Sequence, residues 1–176
     1  MASFDTHINQ AKKNLEFLIE TDSRNNKNWD WQITICFYAA VHIVNAHLAK
    51  VANLHYRTHE AVKNAINPFA TLSTTKVPQE IYLAYTKLEG LSRRARYLCH
   101  EKSVDEPTKE FFTYDKHFAR AIKHLDIILD YFKKEYNITY CALSVSCVEL
   151  THKTPLKIFK VHQLSSKAET VEPSTN

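Results

Sequence analysis

Arg93, Arg96 and His100 are the residues whose types and spacing could do chemistry together. On a helix advancing about 100° per residue, the three fall within roughly 60° of one another. Arg94 points about 120° away from His100 on the same wheel. A histidine titrates near neutrality and can remove or return a proton at a ribose hydroxyl or a leaving oxygen. Two guanidinium groups beside it can hold a phosphate and offset the charge that builds up in the transition state. Together these are the parts of an RNA-cutting site that needs no metal. The competing reading is a solvated basic face that happens to end in a histidine, whose positive form suits a helix C-terminus.

A second group, Tyr38, His42 and Asn45, is spaced i, i+4, i+7 in the most apolar stretch of the chain. Either these are core groups satisfied by a neighbouring helix, or they form a polar pocket that meets His59 or Arg96 across a bundle. His55 and His59 are also four apart, a spacing that holds a metal when both lie on one helix. Here His55 precedes the helical pattern and only Glu60 stands nearby, so a surface or capping role is the expectation. The chain lacks the clustered carboxylates of a two-metal nuclease. Cys36, Cys99, Cys141 and Cys147 make no CxxC pair, which argues against a zinc ribbon. A single glycine, Gly90, leaves no glycine-rich phosphate loop. No metal and no cofactor are expected.

The elements that must position these residues are helical. Ile8, Ala11, Leu15, Leu18 and Ile19 predict an amphipathic helix over 5–21, with Asp5 as its N-cap. A polar loop, 23–28, follows. A helix over 29–51 is apolar round most of its circumference, as the central helix of a bundle is. Gln32, His42, Asn45 and His47 interrupt it, so it is not read as membrane-spanning. A short helix over 58–67 is capped by Thr58 and ended near Pro68. A fourth starts near Pro78 and runs to His100, with Ile81, Tyr85, Leu88, Ala95 and Cys99 on its buried face. After a loop over 102–107, a fifth covers 108–136 with Phe111, Phe118, Ile122, Leu125, Leu129 and Phe132 buried. Beyond Asn137 the pattern changes to two β-branched runs, 138–150 and 156–164, separated by 152–155. They predict a C-terminal β-hairpin. The division is thus a helical bundle domain over 1–137, an extension over 138–164, and a tail over 165–176 of disordered composition.

Three strings in this frame resemble a known family. They are Asp30-Trp31-Gln32-Ile33-Thr34-Ile35-Cys36-Phe37-Tyr38-Ala39-Ala40-Val41-His42, Tyr56-Arg57-Thr58-His59-Glu60, and Leu88-Glu89-Gly90-Leu91-Ser92-Arg93-Arg94-Ala95-Arg96-Tyr97. In order and spacing, over about residues 5–136, they resemble small bacterial HEPN-like proteins. The resemblance implies an all-α, antiparallel helical bundle that forms a homodimer. It implies a metal-independent endoribonuclease of a toxin–antitoxin or phage-defence system, or a relative that has lost catalysis. The family's nuclease motif is an arginine, four to six residues, then a histidine. Arg93 and Arg94 both satisfy it before His100, and helical geometry favours Arg93. Arg94 stands where the family usually has a neutral or acidic polar neighbour.

The net charge of +4, with ten histidines besides, permits contact with RNA without demanding it. A non-catalytic binder would use Lys12, Lys13, Arg93, Arg94 and Arg96. An interaction module would pair the 141–164 segment with an antitoxin or another protein partner. The sequence shows no signal-peptide pattern, and buried free thiols at Cys36 and Cys99 suit a reducing cytoplasm with no membrane contact.

Overall fold

Ser3 begins the first helix: its Oγ accepts the N–H of Thr6 at 3.2 Å, satisfying a backbone donor that the helix start leaves open. The helix α1 is Phe4–Ser23. Asp5 is therefore not the cap. It sits in the first turn, where a carboxylate faces the positive end of the helix dipole. The computed structural model describes residues 2–23, 28–97, 113–150 and 155–162. Buried His7, Ile8, Ala11, Leu15 and Leu18 form the inner stripe of α1.

The second helix, α2 (Trp29–Ala52), is buried nearly all round. It packs against α1, and against α4 (Gln79–Tyr97) and α5 (Asp115–Tyr136), so it is the bundle's central element. Among the described residues it is the one helix long and apolar enough to cross a bilayer by length and composition. Most of its surface is instead covered by its neighbours. It ends at Asn53, whose φ of 53° is left-handed; Asn53 N–H bonds to Ala49 O and Leu54 N–H to Leu48 O. α5 ends the same way at Asn137, φ 52°. With one glycine in the chain, asparagine takes both helix-terminating positions.

Thr58 caps the short α3 (His59–Ala65), its Oγ1 accepting Ala61 N–H at 3.2 Å. Pro78 precedes α4 and its carbonyl accepts the N–H groups of Ile81 and Tyr82. α5 starts later than the hydrophobic spacing suggests. Thr113 and Tyr114 are not helical, and His117 Nδ1 accepts the Tyr114 N–H at 3.0 Å, fixing the extended backbone there. Cys99, Phe111, the expected 102–107 loop, most of the 23–28 loop and the 165–176 tail lie outside the described residues.

Beyond Asn137 the chain returns to the bundle as two short strands, β1 (Leu143–Ser146) and β2 (Phe159–His162). They pair in parallel, Leu143 with Phe159 through Ser146 with His162, so the expected hairpin is not formed. A hairpin needs a tight reversal. Here a 3-10 turn at Val148–Leu150 follows β1, and parallel strands are joined by a crossover, not by a tight turn. Among the described residues, two carboxylates accept backbone N–H groups of this extension, and Asp130 pairs with Lys157 Nζ at 3.0 Å. Asp126 of α5 accepts the N–H groups of Lys157, Ile158 and Phe159 at 2.9, 2.8 and 3.0 Å. Asp22 of α1 accepts Ser146 N–H at 2.6 Å. Burial still pushes the Asp22 carboxyl above its usual range, against the pull of that bond. The extension is thus fastened to the helices at both strands.

Candidate functional site

Arg93, Arg94 and Arg96 occupy the last two turns of α4, and the turn geometry sends them in different directions. Arg93 is exposed and lines an open groove of about 600 Å³ with Lys63, Tyr82 and Glu89. Lys63 Nζ stands 3.6 Å from Glu89 Oε2 across it. Arg94 lines a separate groove of about 530 Å³, between α4 and α5, with Lys87, Arg120 and His124. Arg96 is half-buried: its Nε–H donates to Ser92 O at 3.4 Å and its guanidinium lies 5.4 Å from the Tyr97 ring. His100, the histidine of the expected catalytic group, lies outside the described residues. Arg93 and Arg96 thus share the C-terminal end of α4.

The polar stripe on α2 divides. Tyr38 is part-exposed, with its ring 6.1 Å from His59 at the start of α3; His59 in turn packs edge-on to Phe37 at 4.9 Å. Burial lowers the His59 pKa, Glu89 opposes the shift and Arg96 adds to it. α3 packs against both α2 and α4, so His59 stands on the element between the Tyr38 helix and the arginine helix. His42 turns the other way, towards α1, and Asn45 Nδ2 donates to Val41 O within its own helix at 3.0 Å. Asn45 Oδ1 is buried with no partner among the described residues. Tyr38, His42, Asn45 and His59 accordingly do not form a single pocket.

His42 belongs to a row of three imidazoles. His7 Nδ1 lies 3.1 Å from His42 Nδ1, and His7 Nε2 lies 3.0 Å from His55 Nδ1. His7 uses opposite ring nitrogens for its two neighbours, so a single metal ion cannot replace both contacts. No metal-holding cluster of histidine, cysteine or carboxylate occurs among the described residues. His55 and His59 face different partners, which removes the metal pair their spacing allowed. His7 was legible only as a member of the 7, 11, 15, 18 spacing that faces inward on α1. A satisfied core histidine does exist, at His47. Its Nδ1 is 2.6 Å from Tyr136 Oη and its Nε2 is 3.1 Å from Thr75 O.

His124 is the remaining unusual group. Its Nδ1 is buried and has no hydrogen-bond partner among the described residues. Burial first, then Lys87, Arg120 and Lys123, lowers its pKa to about 4. The cations named for the non-catalytic reading do not form one patch. Lys12 and Lys13 are on α1, which packs against α2 and β1, whereas Arg93, Arg94 and Arg96 are on α4. Compared with protein-family models, curated proteins and solved structures, the chain finds no match.

Proposed function

We propose that this chain is a HEPN-like protein that acts on RNA, as a metal-independent endoribonuclease of the toxin–antitoxin or phage-defence type. The observation that supports this reading best is the placing of Arg93 and Arg96 together at the C-terminal end of α4, where Arg93 opens onto its groove. Arg93 and Arg96 hold the scissile phosphate. His100 takes the ribose 2′-hydroxyl proton, the freed oxygen attacks phosphorus, and the bond to the 5′-oxygen breaks as that oxygen gains a proton. The products are a cyclic phosphate and a 5′-hydroxyl. His59, whose pKa burial and Arg96 lower against the pull of Glu89, is the second proton-handling candidate. In the same reading the protein works in the cytoplasm as a homodimer, and an antitoxin would restrain it.

RNA cleavage in excess EDTA tests the proposal. Wild type should cut. Arg93→Ala, Arg96→Ala and His100→Ala should each lose about a hundredfold or more, the usual range for removing a proton-transfer or charge-stabilising group. Activity that disappears with EDTA, or that His100→Ala leaves undiminished, overturns the assignment. A second reading is favoured by the spread of α4 arginines over two grooves: a non-catalytic module that binds nucleic acid or a protein partner. Salt-dependent RNA binding without cleavage would select the nucleic-acid form.

A further inference from the structure

Gly90 is the single glycine of the chain, and it stands inside α4, where glycine weakens a helix relative to alanine. Backbone conformation does not require it, because no glycine here has positive φ. Packing does not require it either: a Cβ built at this position meets no atom within 4 Å. Nothing within the described chain uses the missing side chain, so the vacancy is on the outer surface, where another molecule can approach the backbone. Gly90 and Thr86, one turn apart, line both grooves described above. The two grooves therefore meet over this smooth stretch of α4.

The charge on either side is positive. Lys87, Arg94 and Arg120 line one groove beside a neutral His124, with no carboxylate among the described lining residues. Lys63, Arg93 and Glu89 are the charged residues among the described lining of the other, with Lys63 paired to Glu89. We infer that a single-stranded RNA crosses α4 at Gly90, its backbone close to the helix and its phosphates seated in the grooves on both sides. This rests on the RNA reading above and adds the path of the strand. A second copy of the chain fits less well. Two-fold packing on Gly90 would bring Lys87, Arg93 and Arg120 towards their own images.

The test uses the full chain carrying His100→Ala, so that the strand stays intact, and a labelled single-stranded ribo-oligonucleotide of about 12 nucleotides. Fluorescence anisotropy gives affinity across a salt series, and thermal melting is followed in parallel. Gly90→Leu should raise the melting temperature by roughly 2–4 °C while weakening RNA binding about tenfold or more. Lys87→Ala and Arg120→Ala should each weaken binding and lower the log–log salt slope by about 0.7. Opposite signs for stability and affinity at Gly90 separate a contact surface from a folding defect. If all three variants bind RNA as their parent does, the crossing is wrong and the RNA reading survives. If the parent binds no RNA, that reading fails and the crossing with it. If Gly90→Leu instead converts a dimer into monomers, the face belongs to a second copy and the inference is overturned.

Discussion

Both ring nitrogens of His7 are engaged by other imidazoles, so the neutral row needs its protons aligned. One consistent assignment has His55 Nδ1–H donate to His7 Nε2 and His7 Nδ1–H donate to His42 Nδ1. Burial, then His42 and His55, lowers the His7 pKa to about 4. An unfolded chain takes up that proton near pH 6.5 and the folded one only near pH 4, so between these values the unfolded state holds more protons. Stability is thus unaffected by this group above pH 6.5 and is lost as pH falls through the window, by on the order of 2–3 kcal/mol. Urea unfolding at a series of pH values should show this loss, and His7→Gln should flatten it. An unchanged slope in that variant would place the acid sensitivity elsewhere. At this scale the sequence was partly legible. Helical spacing alone separates Arg93 from Arg94, because both lie in one regular element. The partners of His42 depend on how α1 and the chain after α2 come together, and no local spacing records that.

Among the elements, the start of the second C-terminal strand is tied to α5 through Asp126. Three consecutive backbone N–H groups converge on one buried carboxylate, Lys157 on Oδ2 and Ile158 and Phe159 on Oδ1. Asp126→Ala should cost about 2–4 kcal/mol, since it leaves three donors without their charged acceptor. Asp126→Asn should be intermediate, because an amide can keep one oxygen against Ile158 and Phe159 but turns an NH₂ group towards Lys157. Amide hydrogen exchange should show the protection of Phe159 and Val161 falling first, while α2 stays protected. Equal loss over the whole chain would mean that the extension is not a separable unit. The two strand-forming runs were visible in their β-branched composition, but their direction was not. Composition fixes which residues accept an extended backbone. The start of β2 is held by Asp126, a residue more than thirty positions away from the segment it fastens, and local composition does not record such a contact. In the same way, the start of α5 was obscured because Thr113 and Tyr114 continue an acceptable helical composition, while the bond from Tyr114 N–H to His117 Nδ1 marks the helix start.

For the whole molecule the decisive element is α2. Its apolar circumference predicted a central helix, and Phe37, Val44 and Leu48 are fully enclosed by the surrounding helices. This was legible because a helix buried on all sides leaves no polar face in its sequence, and the scarcity of glycine leaves few ways to build anything but helices around it. What lies between helices was less legible, since contacts such as His47 with Tyr136 join residues 89 positions apart. Val44→Asp tests the central placement directly. A lone carboxylate at that site has no cation to pair with along the apolar interior, and its burial costs several kcal/mol, a large share of the stability of an ordinary domain. Circular dichroism should show the variant largely unfolded or aggregated at a temperature where wild type is folded. Asp at exposed Lys50, near the end of the same helix, controls for the change in charge and should shift the melting temperature only slightly. If Val44→Asp melted as Lys50→Asp does, α2 could not be the helix on which the other four are assembled.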